Sequence, residues 1–255
     1  MYERSETDIS RRHLEEVVKS IDDPIVVIGG WAVYLLVNER YRENTGRDYI
    51  GSMDIDLGFR LEGGDPQKTT FARVLRKLED ELGFRMQGFR LQKQMRLATG
   101  EPLTDEQARK AASYDIFQMY VDLVVDEIPP DFEKTFGFRP VDEPLLKQVF
   151  SDPKNRVERR EFGRTVLLPR PDVLLAMKVR SLPGRQQDHK KLKDVADAAS
   201  LVLFGGANLR DLLVDGSVSK AELEKFASAI STKETDEVAR LIGVDSSLIV
   251  AAIVI

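Results

Sequence analysis

Apolar residues recur along this chain first at mixed spacings and later at helical spacing alone. Ile9, Leu14, Val17 and Val18 fall on one stripe of a predicted helix over 8–20. Asp22-Asp23-Pro24 stops that helix ahead of the continuous apolar run Ile25-Val26-Val27-Ile28. Such a short run predicts a buried strand. Gly29-Gly30 makes a tight turn, after which Trp31, Ala32, Leu35 and Leu36 recur at helical spacing until the polar stretch from Arg42 to Asp48. From Met53 to Phe59 apolar and acidic residues alternate, the period of a second strand, and a helix from about Gln67 to Leu82 follows. Further strands are predicted near Phe84 to Leu97 and Tyr114 to Val125, separated by a charged insertion from Thr99 to Arg109. A long connection with several prolines leads to another strand, Arg164 to Leu168. Beyond Pro169 the pattern is helical only: Pro171 to Leu182, Gln187 to Leu203, Ala207 to Val214, Lys220 to Ile230 and Lys233 to Ile242. Strands first and helices second predict an α+β protein of mixed architecture, with one domain over 1–169 and a helical domain over 170–255.

Composition narrows the chemistry. Hydrophobic residues make up 42% of the 255, enough for a substantial core. No cysteine is present, which removes disulfides, thiolate metal sites and cysteine nucleophiles, and two histidines make a histidine-rich zinc site a poor reading. Metals held by oxygen remain open. A formal charge of −5 argues against a generally basic nucleic-acid coat but permits a local basic groove. The N-terminus MYERSETDISRRHLEE is charged where a signal peptide needs an apolar core, and no run approaches the roughly 20 apolar residues of a membrane span. A cytoplasmic protein without membrane association is expected.

The acidic residues carry the most specific signal. Asp54 and Asp56 stand two apart on a predicted strand, so both side chains leave the same face while Met53, Ile55 and Leu57 point to the other. Two adjacent carboxylates repel, and a divalent cation bound by hard oxygens relieves the repulsion. A third carboxylate would complete such a site; Asp122, flanked by apolar residues in YVDLVV, is the best placed, and Asp126 is the alternate. A solvated acidic strand face needs no metal, and this reading stays open. Gly29-Gly30 weighs against it, because a glycine turn at a helix start offers backbone N–H groups and close approach to phosphate.

The string IVVIGGWAVYLL followed by GSMDIDLGF resembles the glycine-pair and D-x-D signature of polymerase-β-like nucleotidyltransferases. The segment PRPDVLLAMKVRSLPGRQQDHKKLKDVADAASLV is similar to that of the AbiEii-like nucleotidyltransferase toxin group. The resemblance covers roughly residues 25–203. It implies a short mixed sheet flanked by helices and followed by a helical C-terminal lobe, with magnesium (or manganese) as cofactor and a nucleoside triphosphate, such as ATP, as substrate. Carried over, Gly29 and Gly30 hold the triphosphate, Asp54 and Asp56 bind the metal, and Asp122 is the third acid. Ser52 is either a hydroxyl near phosphate or part of a turn. Lys178 either reaches phosphate or base or is a solvated helix lysine. Asp194 and Asp197 either orient Lys178 or the nucleotide, or pair with Lys190, Lys191 or Lys193 at the surface. The distance from Gly30 to Asp54 exceeds the family's usual spacing, which marks Asn38 to Gly51 as an insertion-like loop.

The implied activity is transfer of a nucleoside monophosphate to an acceptor hydroxyl by in-line attack. The acceptor is tRNA, a protein or a small molecule, and a cognate antitoxin is an implied partner. Basic residues at Arg85, Arg90, Lys93 and Arg96, and at Lys154, Arg156, Arg159, Arg160 and Arg164, suit phosphate backbones or plain solvated surface equally. Two other classes remain. One is a catalytically inactive nucleotide- or partner-binding module of the same fold. The other is an interaction protein using the apolar C-terminus from Leu248 to Ile255, which reads as a buried terminal strand or helix or a subunit contact.

Overall fold

The computed structural model describes residues 3–21, 25–61 and 66–253; the Asp22-Asp23-Pro24 break and the last two apolar residues, Val254 and Ile255, lie outside the described residues. The chain forms two compact units, one built from residues up to Trp31 together with Gly51–Leu168, the other from Ala32–Ile50 together with the chain from Pro169 onward.

The first unit carries the sheet. Its elements run α1 (Arg4–Ser20), β1 (Val26–Ile28), the start of α2 (Gly29–Thr45), β2 (Asp54–Phe59), α3 (Thr70–Asp80), β3 (Arg85–Gln87), β4 (Arg90–Arg96), α4 (Asp105–Lys110), β5 (Ile116–Val125), α5 (Phe132–Phe136), β6 (Val141–Asp142), α6 (Leu146–Ser151), β7 (Arg156–Glu161) and β8 (Arg164–Pro169). The sheet order is β3-β4-β5-β2-β1-β8-β7, with β6 extending the β5 ladder. It is a mixed sheet: β2 runs parallel to β5 and antiparallel to β1, β1 runs parallel to β8, and β4 runs antiparallel to β5. Helices flank it, so the expected mixed α+β architecture is what the chain adopts.

Period-two alternation explains the central strands. On β5, Phe117, Met119, Val121 and Leu123 are buried, while Gln118, Tyr120 and Asp122 stand on the opposite face; on β2, Ile55 and Leu57 are buried and Asp54 and Asp56 stand opposite them. The helix α3 presents Phe71, Ala72, Val74, Leu75 and Leu78 inward, and Thr69 caps it by accepting a hydrogen bond from the Ala72 N–H at 3.2 Å. Phe71 is the hub of an aromatic cluster, with ring centroids 5.4 Å from Phe59, 5.1 Å from Phe132 and 5.2 Å from Phe136. The proline-containing connection is more ordered than its composition suggests, because it contributes α5, β6, α6 and the edge strand β7. Five of that strand's six residues, RVERRE, are charged, and these charges protect an open sheet edge from further pairing.

The second unit is helical. After Pro169 every element among the described residues is a helix: α7 (Pro171–Ser181), α8 (Asp188–Leu203), α9 (Leu209–Val214), α10 (Lys220–Ser228), α11 (Thr232–Ile242) and α12 (Ser246–Ile253). The body of α2 belongs here too, and it corrects the expectation of a loop from Asn38 to Gly51. The helix continues to Thr45 because Val37 and Tyr41 keep a buried stripe while Glu39 and Arg40 face outward. The following segment is tied down: the Tyr49 N–H donates to Asn38 Oδ1 at 2.6 Å, Asn38 Nδ2 donates to Asp48 at 3.0 Å, and the Tyr41 hydroxyl donates to the Ile242 carbonyl at 2.9 Å. The apolar C-terminal segment is helical in α12, with Ile249 and Ile253 buried and Leu248 and Val250 exposed. Among the described residues no helix is long and apolar enough to cross a membrane.

Phe71→Ala removes the ring that joins four aromatic neighbours. It should lower the unfolding free energy by about 3–5 kcal/mol, read from urea denaturation monitored by circular dichroism.

Candidate active site

Two charged clusters contain the residues singled out from the sequence, one in each unit. In the sheet unit, the parallel register sets Asp56 directly beside Asp122 and Asp54 beside Tyr120. Neighbouring strands lie about 4.8 Å apart, so the carboxylates of one face are forced close together. The antiparallel register of β1 sets Ile28 opposite Asp56, which brings the end of β1, and therefore Gly29, to the same carboxylate. Gly29 has φ +65°, and a Cβ placed on it would lie 2.7 Å from the Asp56 carboxyl carbon and nearer still to Oδ2. Glycine is required here twice over, by the left-handed backbone and by the acid pressed against its Cα. The glycine turn and the D-x-D strand are thus one piece of geometry. Ser52 is buried, two residues before β2. Asp126 stands apart from the cluster: it is buried beyond the end of β5 and accepts a hydrogen bond from the Leu61 N–H at 3.0 Å.

A residue read from the sequence as part of a basic surface cluster completes this site. Arg90 opens β4, and one step beyond the Leu91–Val121 pair the register brings it beside Asp122. Its Nε donates to Asp122 Oδ1 at 2.6 Å, and its Nη2 is shared between Asp122 Oδ2 and Asp54 Oδ2, both at 2.8 Å. The guanidinium also stacks over the Tyr120 ring, 4.2 Å from its centroid. Burial alone would lower the Arg90 pKa, but the hydrogen bonds and charges of Asp122 and Asp54 outweigh it and hold the value above its usual range. Among the described residues no three acidic or histidine side chains converge as a ready metal site; Asp54 and Asp122 converge on Arg90.

The second cluster lies in the helical unit, where α7 and α8 pack together. Lys178 is only 6% exposed, so the solvated reading of this lysine is replaced by a buried one. Its Nζ donates to Asp194 Oδ1 at 2.5 Å and to Asp197 Oδ2 at 2.8 Å. Arg185 donates to the other Asp194 oxygen at 2.5 Å, the Tyr49 hydroxyl donates to Asp197 Oδ1 at 2.9 Å, and Lys193 also donates to Asp197 Oδ1. Both acids are buried; of the lysines weighed as surface partners, Lys193 joins them through Asp197, while Lys191 pairs with Glu234. Burial opposes charge on Lys178, yet Asp194 and Asp197 overcome it and raise its pKa. Lys193 goes the other way, because burial and the like charge of Lys178 outweigh Asp197. Asp194, despite burial, is held below the usual carboxylate range by Lys178 and Arg185. Tyr49 and Arg185 carry no recognisable sequence signal, since only tertiary packing brings them to these acids, whereas Lys193 lies one helical turn before Asp197 on α8.

The two basic clusters also separate. Arg85 pairs with Asp105 at 2.7 Å, Lys93 donates to the Leu82 carbonyl at 2.8 Å, Arg156 donates to the Val149 and Phe150 carbonyls at 3.1 Å, and Arg164 to the Ile21 carbonyl at 3.1 Å. Lys154, Arg159 and Arg160 remain exposed.

Two outcomes follow from this geometry. Gly29→Ala should destabilise the protein by at least about 1–2 kcal/mol from the left-handed backbone alone, with the collision added to it. Combining it with Asp56→Gly should recover the collision part, which a double-mutant cycle of unfolding free energies measures. Asp194 has a depressed pKa, so its contribution to stability is present above its unfolded value of 3.8 and is lost as pH falls through its folded value. Asp194→Asn should therefore lower the melting temperature at pH 7 and flatten the fall in stability on acidification, in a thermal series from about pH 6 to pH 2.

No family model matches the sequence, and no curated protein matches it. Among solved structures, the chain is similar to the crystal structure of an antigenic nucleotidyltransferase-like protein from Paracoccidioides brasiliensis, with 14% sequence identity, 96% of this chain and 95% of that chain covered, and a TM-score of 0.40. A likeness at that score carries no functional argument, so the reading of the site rests on its own residues.

Proposed function

We propose that the chain is a magnesium-dependent nucleotidyltransferase that moves a nucleoside monophosphate from a nucleoside triphosphate to an acceptor hydroxyl. The observation that carries this reading is the junction of Gly29 with Asp56 and Asp122: a glycine at a helix start, pressed against Asp56, which the register sets beside Asp122. The donor set is chemically suited to magnesium, being all hard carboxylate oxygen on two adjacent strands, with Asp54, Asp56 and Asp122 as the holders. When bound, magnesium supplies positive charge to the triphosphate and to the departing pyrophosphate.

The chain's own groups account for the remaining steps. Backbone N–H groups at Gly29 and Gly30, at the N-terminus of the 17-residue α2, receive phosphate oxygens. Asp122 accepts the proton of the acceptor hydroxyl, whose oxygen forms the new bond to the α-phosphorus while the bond to the bridging oxygen of pyrophosphate breaks. Lys178, kept protonated by Asp194 and Asp197, is a fixed positive charge inside the helical unit. The exposed Lys154, Arg159 and Arg160 favour an RNA acceptor such as tRNA, and the toxin-group resemblance carries with it a cognate antitoxin. One observation favours the inactive binding module instead: Arg90 already satisfies Asp54 and Asp122.

Purified protein incubated with each α-labelled nucleoside triphosphate, magnesium and either bulk tRNA or protein decides between them. Label is expected on one acceptor, abolished in Asp54→Asn and Asp56→Asn and reduced by about two orders of magnitude or more in Asp122→Asn. Nucleotide binding with no transfer to any acceptor would establish the binding module.

A further inference from the structure

We infer that Arg90 is the resident counter-cation of the Asp54–Asp122 pair, and that a divalent metal enters this site by displacing it. The inference rests on the reading of these acids as metal-binding. Nη2 of Arg90 lies 2.8 Å from one oxygen of each carboxylate, so a single nitrogen stands where a bridging cation would stand. Magnesium takes carboxylate oxygens at about 2.0–2.1 Å, closer than any N–H···O bond, so an ion held by Asp54 and Asp122 would compete with Nη2 for the same oxygens. The two cations are mutually exclusive.

The surroundings let the exchange happen. Arg90 is the first residue of β4, next to the two-residue turn Gly88-Phe89 of the β3–β4 hairpin, whose Gln87–Arg90 pair closes it. Gly88 has φ +63° and Phe89 is exposed, so the turn lies at the edge of the fold. The Arg90 side chain is 19% exposed and reaches the acids from that rim. Its guanidinium can leave along the Tyr120 ring without breaking a strand pair, and once released it is a free fork of donors beside the metal, suited to phosphate oxygens. Without metal, the arginine spares the protein two uncompensated, partly buried carboxylates.

Titrating manganese(II) without nucleotide, by calorimetry and by loss of the free-ion electron paramagnetic resonance signal, tests the exchange on the full chain. Arg90→Gln should tighten manganese binding by about tenfold or more relative to wild type. Arg90→Lys keeps the charge but loses the fork, and should tighten it by a smaller factor; this variant carries the test if Arg90→Gln folds poorly. Arg85→Gln, on the neighbouring strand and paired with Asp105, controls for loss of one nearby positive charge and should change nothing. In metal-free buffer the Arg90 variants should melt below wild type, and saturating manganese should close that gap. Unchanged or weaker binding in both Arg90 variants, with wild-type binding lost in Asp54→Asn, overturns the displacement while leaving the metal site standing. Binding by Arg90→Gln but not by wild type supports it in its strongest form. No manganese binding by any of them removes both the inference and the metal reading beneath it.

Discussion

Carboxylates on adjacent, registered strands repel one another, and much of the local structure around β2 and β5 answers that repulsion. The parallel register that places Asp56 beside Asp122 also carries the best-buried hydrophobic residues of the sheet on its other face, Ile55 and Leu57 against Val121 and Leu123. Moving the acids apart by a one-residue slip would turn those apolar side chains out of the core. The core therefore holds the acids together, and compensation must come from elsewhere. Arg90 supplies it for Asp54 and Asp122, and the bare Cα of Gly29 makes room for Asp56.

The helical unit solves a similar problem at greater depth. Asp197 is fully buried and Asp194 nearly so, and Lys178, Lys193, Arg185 and Tyr49 direct donors at their oxygens. Removing one member of such a network strands the others in a medium of low dielectric, which makes the network all-or-none. Lys178 and Lys193 share Asp197 and shift in opposite directions: burial lowers Lys193, while at Lys178 the two acids Asp194 and Asp197 outweigh burial. A lysine kept charged inside a fold is a fixed electrostatic element of its unit.

Electrostatics also changes how the basic residues should be seen. Clusters that look alike in sequence divide into Arg90, Lys93, Arg156 and Arg164, spent on Asp54, Asp122 and main-chain carbonyls, and an exposed group, Arg85, Lys154, Arg159 and Arg160, of which Arg85 pairs with Asp105 at the surface. Only the latter offers charge to a phosphate backbone in solution. That division makes an acidic protein with a local nucleic-acid surface physically coherent, since the net charge of −5 is an average over groups of which many are already neutralised in place.

Period and punctuation in the sequence were enough for the existence of most elements: the alternation in Met53 to Phe59 marks β2, the run Ile25 to Ile28 marks β1, and the helical stripes after Pro169 mark α7 to α11. The common face of Asp54 and Asp56 is likewise local, because two residues on a strand return to the same side. What escaped is what depends on partners distant in the chain. The extent of α2 past Asn38 was hidden because its outer face is polar and its inner stripe is thin, and β6, α5 and α6 are too short to show a period. The ligation of Asp54 and Asp122 by Arg90, 36 and 32 residues away, and of Asp197 by Tyr49, 148 residues away, follows from strand register and helix packing. Sequence by itself determined which side chains share a face, since that is a matter of backbone geometry within a few residues; tertiary structure alone decided which charges meet, since that depends on which surfaces the hydrophobic core brings together.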